Sequence, residues 1–354
     1  RDKITSLNDI SIFTDDDDIL LTTVFENIKK KMEGKPVEIN AKKASKNELI
    51  NFRLKAMKII SDIINDKSDY IVFAVSFPFE VLILGMNMKL KYNNVKLFVY
   101  ELDPYSYNKA LRIPIIGFPY RFAKERRIFE QADMIFLTNE LFKSYQKNIF
   151  KKFKAKFVDL GIPILNICNE LQTNESEDEC RIVYAGSLSR KYRDPSYMLE
   201  LFVSIKKLDI WSLHLYGVNI DEIDKHYLEM LKGKLFIHRK LPRKEILKVI
   251  KKSSILLNIG NIMDNQLPSK LLDYIGFRKP IIKIYNNIND TSKIYLSDYP
   301  IKFQVNANNK NLKVDSNKLI DFIITNYNKH CSYSDVKNNY NKYSIDTIVG
   351  NLDF

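Results

Sequence analysis

Residues 265–282 read NQLPSKLLDYIGFRKPII, and no other stretch carries as much information about the chain. A helix begins at its Pro-Ser pair: either Pro268 is the first helical residue or Ser269 is the N-cap. Lys270 falls in the first turn, where the helix dipole disfavours a cation unless an anion compensates. Asp273 lies one turn further along the same face, a position that suits a sugar hydroxyl. Capping alone explains Ser269 but not Lys270. A lysine beside a helix start, with a carboxylate one turn on, suits a nucleotide diphosphate. The β-branched run at 280–285 then reads as a strand, so the stretch is loop, helix, strand.

The same arrangement recurs upstream at 184–195, YAGSLSRKYRDP, directly after a strand run and before a helix. Small residues there let backbone approach a phosphate, and the cations that follow neutralise it. The pattern extends over the whole chain. Strand runs at 10–13, 37–39, 70–76, 96–101, 134–138 and 156–160 alternate with helical stretches at 19–32, 46–65, 79–90, 120–131 and 140–152. A second alternation has strands at 181–184, 211–216, 234–237, 255–258 and 280–285, with helices at 196–206, 221–231, 243–251 and 269–277. Short strand runs without polar alternation are those of parallel strands buried on both faces. The expected class is α/β, with two doubly wound Rossmann-like domains facing across a cleft. The domain expectations are 1–163 for the first domain and 181–333 for the second. The polar, acidic segment within 164–180 joins them, and 334–354 forms a tail whose helix packs back on the first domain.

Composition removes several classes. The 354 residues are 45% hydrophobic with 10 Gly and 11 Pro, which excludes disordered and collagen-like chains. Cys168, Cys180 and Cys331 form no CxxC pair, so neither a disulfide scaffold nor a zinc ribbon is expected. Lys+Arg 56 against Asp+Glu 43 gives +13, which calls for an anionic partner. No uninterrupted apolar run approaches the ~20 residues of a membrane span. With free thiols and no export signal, the expected location is the cytoplasm, peripheral at the inner face of the cell membrane.

The run PSKLLDYIGFRKPII, with YAGSL at 184–188 and LHLYG at 213–217, resembles the donor-binding domain of GT-B glycosyltransferases. The likeness is to the retaining group that holds glycogen synthase-like and bacterial polysaccharide enzymes. It implies a hexosyltransferase that uses a nucleotide diphosphate sugar, UDP-sugars favoured, with no cofactor and no metal. The acceptor would be a glycan, a glycoprotein or a lipid-linked molecule, and the setting bacterial surface glycan assembly. By this resemblance Gly186, Ser187, Arg193, Pro268, Ser269 and Lys270 line the diphosphate and Asp273 takes the ribose. Arg190 and Lys191 compete with Arg193, because the loop register is open. Three positions depart from the pattern. Asn265 stands where the group has a glutamate and Asp273 where it has the second, and Ser187 replaces the arginine after the loop glycine. These departures motivate an alternative, a non-catalytic GT-B-like subunit supporting a partner enzyme.

In the first half, Glu101 and Asp103 close a strand and are expected as general base or acceptor-orienting groups. Tyr105, Ser76 and Phe77 are the other acceptor-side candidates, with a plain strand-end turn as the competing reading. Asp15–Asp18 read as helix-start acids rather than a metal site. The four histidines lack metal spacing, and His238 is placed either beside a nucleotide base or in a solvated loop. Residues 108–157 hold twelve Lys/Arg against four Asp/Glu, interleaved with Phe142, Tyr145, Phe150, Phe153 and Phe157. That mixture suits an anionic membrane surface, or equally a lysine-rich face over core aromatics. No nucleic-acid motif accompanies it, so nucleic acid is not an expected partner, and oligomeric state is open.

Overall fold

The computed structural model describes residues 11–12, 54, 56–58, 61, 64, 70–76, 79–107, 117–162, 165–169, 179–261, 270–344 and 347. Two compact units divide the described residues between Ile162 and Leu165.

The first unit is built on β1 (Ser11–Ile12), β2 (Tyr70–Val75), β3 (Val95–Glu101), β4 (Met134–Leu137) and β5 (Phe157–Asp159). All pair in parallel, in the order β1-β2-β3-β4-β5. Helices α1 (Phe79–Lys91), α2 (Phe118–Gln131) and α3 (Asn139–Tyr145) cover the sheet. Gly85 lets α1 approach: a Cβ there would stand 2.7 Å from Leu97 Cδ1 and 3.0 Å from Ala74 Cβ. The helix expected over 140–152 stops at Tyr145, and a 3-10 turn, Lys151–Lys156, replaces its end. The strand expected at 37–39 and the helix at 19–32 lie outside the described residues, as do Asp15–Asp18.

The aromatics of the basic segment are core. Tyr145 and Phe150 are fully buried, Phe153 nearly so, and they pack on Phe129, whose ring centroid lies 5.1 Å from that of Phe150. Of the two readings open for these side chains, their packing is that of core aromatics. Lys156 is likewise taken: its ammonium donates to the carbonyls of Phe129, Glu130 and Ala132 and closes the C-terminal end of α2. Lys151, Lys152 and Lys154 remain exposed.

The second unit has six parallel strands: β6 (Cys180–Ala185), β7 (Trp211–Tyr216), β8 (Leu235–His238), β9 (Ile255–Ile259), β10 (Ile281–Tyr285) and β11 (Lys302–Asn306). Their order is β11-β10-β9-β6-β7-β8. Strand order therefore reverses between β6 and β9, and at such a switch point two loops diverge and leave a crevice at the carboxyl ends. The helices are α4 (Ser196–Ser204), α5 (Lys225–Met230), α6 (Arg243–Lys252), α7 (Lys270–Gly276), α8 (Thr291–Tyr295), α9 (Leu312–Asn326) and α10 (Tyr333–Tyr340). The core lies between the sheet and α4 and α9, around Phe202, Trp211, Leu213, Leu319 and Ile323. The helix expected at 221–231 is divided into a 3-10 turn and α5, and α8, β11 and α9 follow the last strand expected from the sequence.

Part of the expected linker belongs to this unit. Leu165 is buried and bridges Ser344, and Cys168 N–H donates to Gly276 O at 2.9 Å. A Cβ on Gly276 would collide with the Asn166 carbonyl, so glycine is required at that crossing. Within the expected tail, α10 is anchored in this unit: Tyr340 hydroxyl donates to Tyr295 O at 2.7 Å, on α8.

Candidate donor-binding site

The switch point is built by the loop after β6 and the helix α7. Gly186 ends β6 with its N–H on Tyr216 O at 3.0 Å, and a Cβ there would press within 2.9 Å of the Tyr184 hydroxyl. That hydroxyl donates to Ser187 O at 2.9 Å and folds the loop back on its own strand. Leu188 is buried beneath, while Ser187 is exposed. Ser189 and Arg193 then exchange backbone hydrogen bonds, closing a turn over 190–192.

This closure sorts the three loop cations. Arg190 and Lys191 stand at the exposed tip. Arg190 gives its N–H to Glu222 at 3.0 Å and its guanidinium to Asp224 at 3.9 Å, while Lys191 lies over the Tyr192 ring. Arg193 turns back over the sheet. Its guanidinium lies near the Tyr184 hydroxyl, where its charge partly offsets the burial that pushes this phenol up, and it is felt at Tyr274 and Lys283.

Helix α7 meets the loop through Tyr274, fully buried, whose hydroxyl oxygen accepts the Ala185 N–H at 2.9 Å. That bond joins two segments 89 residues apart. Asp273 sits one residue earlier, nearly buried, with Oδ1 receiving Arg243 Nη2 at 2.7 Å. Arg243 opens α6, and nothing in its sequence setting marks it as a site residue. Lys270 is the first residue of α7 and is exposed. Asn265, Pro268 and Ser269 lie outside the described residues.

Beneath the crevice, Lys283 is a cation that the sequence reading passed over. Fully buried on β10, it donates to Asn258 Oδ1 at 2.9 Å, to Asp290 Oδ2 at 2.8 Å and to Ser292 Oγ. Burial pulls its pKa down to about 8, the Asp290 charge opposes this, and Arg193 adds to it. Gly260 runs alongside, where any Cβ would collide with the Asp290 carboxylate. His238 is occupied by a different structure. Its Nε2 meets His214 Nδ1 at 3.0 Å and its ring stacks on Tyr216, while burial and Arg181 hold its pKa below the usual imidazole range.

In the first unit the expected residues divide. Ser76 is buried, and its Oγ accepts the Leu102 N–H at 2.8 Å, so it shapes the loop after β3 rather than offering a free hydroxyl. Tyr105 is half-buried and stacks on Phe79 at 3.6 Å. Asp103 is half-buried on the same loop, and Phe77 lies outside the described residues. Glu101, an expected general base, is fully buried, and burial with the neighbouring Glu125 charge holds its carboxyl well above the usual range. A carboxyl held neutral does not act as a base, which leaves Asp103 as the other expected candidate. Among the described residues no group of three or more His, Cys, Asp or Glu is placed to hold a metal, and no helix is long and apolar enough to cross a membrane.

A family model described as a domain of unknown function, DUF6852, matches residues 10–58. No curated protein sequence matches the chain. Among solved structures, the chain is similar to the apo lipopolysaccharide outer core galactosyltransferase WaaB. They are 12% identical with a TM-score of 0.52, covering 85% of this chain and 79% of that one. It is similar to Staphylococcus aureus TarM in complex with fondaparinux, alpha-GlcNAc-glycerol and UDP (12% identity, TM-score 0.55, 84% and 57%). It is also similar to the pneumococcal O-GlcNAc transferase GtfA in complex with UDP and GlcNAc (11% identity, TM-score 0.55, 84% and 58%). The chain thus spans a little over half the length of TarM and of GtfA. With two Rossmann-like units on parallel sheets and these likenesses, the chain has the GT-B fold.

Proposed function

We propose that this chain is a glycosyltransferase that takes a hexose-type sugar from a nucleotide diphosphate sugar, UDP-sugars favoured, and passes it to a glycan, protein-linked or lipid-linked acceptor. The setting that fits is surface polysaccharide or glycoconjugate synthesis. One observation carries the reading: the Tyr274–Ala185 hydrogen bond brings the loop of Arg193 and the helix of Lys270 and Asp273 to one strand-order switch point. Both segments were singled out by their residue types, and their meeting supports a single anionic ligand there.

In this scheme Arg193, Lys270 and the backbone at Gly186 and Ser187 hold the leaving diphosphate as its charge grows. Asp273, oriented by Arg243, takes the ribose hydroxyls. If configuration is retained, the leaving phosphate itself accepts the acceptor proton; if it is inverted, Asp103 is the base. Exposed Lys151, Lys152 and Lys154 offer an anionic membrane surface a place to bind, which suits a lipid-linked acceptor. The scheme is tested by screening hydrolysis of a panel of nucleotide sugars with the wild type and Lys270→Ala. Turnover of one donor, lost in the variant, supports it; turnover unchanged in the variant removes Lys270 from the site.

A second reading rests on Ser187, where a loop arginine is missing, and on the engagement of Asp273 by Arg243. By it, the chain is a non-catalytic subunit that binds glycan or protein beside a partner enzyme. Calorimetry separates the two, because a degenerate donor site binds neither UDP nor GDP.

A further inference from the structure

At the carboxyl end of β3, Glu101 is fully buried, and neither of its oxygens has a hydrogen-bond donor in bonding geometry. Beside it stands Glu125 of α2, also fully buried. Glu125 is well served: Oε2 accepts the Ser106 N–H at 2.9 Å and the Ser106 hydroxyl, and Oε1 accepts the Tyr145 hydroxyl at 2.9 Å. Two ionised carboxylates meeting in a dry interior repel, and neither has a proton to offer the other. One proton between them turns the contact into a hydrogen bond.

We propose that Glu101 and Glu125 form a one-proton pair that docks the loop over 102–107 onto α2 and α3, and that losing the proton releases the loop. This loop is held at two points. At its start Leu102 N–H is fixed by Ser76 Oγ, and at its far end Ser106 is fixed by Glu125. The second anchor depends on the pair. Between the anchors lie Asp103 and Tyr105, so Glu101 and Glu125 are positioning residues for them.

The groups around the pair are consistent with one retained proton. Burial is the largest influence on Glu101 and the Glu125 charge the next; both favour the neutral form, while Tyr145 from α3 and the Tyr105 amide from the loop oppose them. Tyr107 also feels Glu125, and Tyr105 lies within reach of Glu80 on α1 and Arg121 on α2. Burial keeps the Tyr145 hydroxyl protonated, so it stays a donor throughout.

The sign of the pH effect follows. The unfolded chain releases this proton near the ordinary glutamate value of about 4.3, whereas the folded chain keeps it to higher pH. Folded stability therefore falls as pH rises through that window, by about tenfold in the unfolding constant per pH unit. Glu101→Gln gives Glu125 an amide donor with no proton to lose.

The test uses the full chain. Infrared spectra at pH 7 of protein labelled with 13C-glutamate should show a neutral-carboxyl carbonyl band that shifts with the label and disappears in Glu101→Gln. Urea unfolding from pH 5 upward should show the stability of Glu101→Gln gaining on wild type by about tenfold per pH unit until the pH at which the band is lost. Exchange of the Ser106 amide should quicken in wild type above the pH at which the band is lost, and stay slow in the variant. No such band at pH 7, or parallel stability curves, overturns the pair; should the variant fail to fold, the wild-type band and amide exchange decide. The role of Asp103 and Tyr105 rests on the proposed function. If no donor is turned over while the band and slope are present, that function fails and the pair stands.

Discussion

The two sheets end in opposite chemistry. The carboxyl edge of the first presents two buried glutamates beside a tyrosine and a serine; that of the second gathers Arg193, Arg243 and Lys283, with Asp273 and Asp290 as their partners. Glu101, Glu125 and the Lys283–Asp290 pair are buried, so each charge there matters more than at the surface. A cation-rich edge at a strand-order switch point suits a diphosphate. On the other edge, burial and the neighbouring Glu125 charge favour the neutral form of Glu101. The same α/β layering thus carries different chemistry in the two units through the side chains at the strand ends.

The largest expected effect comes from removing the deepest cation. Lys283→Met strands Asp290 in the core and should cost about 3–5 kcal/mol by denaturant unfolding. Adding Asp290→Asn should recover part of the loss; no recovery would mean that the ion pair is not the cause. The two edges should also titrate in opposite senses. Lys283 keeps its proton in the folded state only up to about pH 8, while an unfolded lysine keeps it to about 10.4. Wild type therefore gains stability relative to Lys283→Met as pH rises through that window, whereas the Glu101 pair makes stability fall with pH. Slopes of the same sign would break the contrast.

Lys151, Lys152 and Lys154 of the first unit lie exposed in the turn before β5. Lys151, Lys152 and Lys154 changed together to Gln should weaken binding to anionic liposomes by about 3 kcal/mol, at about 1 kcal/mol per lysine. Unchanged binding would remove that face from membrane contact. Tyr274→Phe leaves the buried Ala185 N–H without its acceptor and should cost about 1–3 kcal/mol of stability. It should weaken UDP binding as well, if the loop and α7 act as one site. Gly186→Ala crowds the Tyr184 ring and should cost about 1 kcal/mol; its effect on UDP affinity should exceed its effect on melting temperature.

The alternation of strand and helix was legible because strands buried on both faces, such as WSLHLY at Trp211–Tyr216 and ILLNI at Ile255–Ile259, need no partner to be recognised. Strand order was not, since the switch point depends on pairing between β6 and β9, far apart in sequence. Lys283 looks like an interruption in IIKIY, and its partner Asp290 sits in a turn-like NNINDTS run; only the fold brings the two together. Glu125 did leave a signal: Arg121, Glu125, Ile128 and Phe129 share one helical face, and all are buried. A carboxylate on an apolar stripe announces a buried partner. The spacing of Tyr145, Phe150 and Phe153 reads equally as membrane contact or core, and only their packing on Phe129 decides it.

The contrast between the edges rests on the second unit binding a nucleotide diphosphate. Titrating UDP into wild type and Arg193→Ala by calorimetry tests this most directly. Saturable binding by wild type, weakened about tenfold to a hundredfold in the variant by loss of one charge-assisted contact, is the predicted result. A wild type that binds neither UDP nor GDP, or a variant that binds UDP as well as wild type, would contradict it.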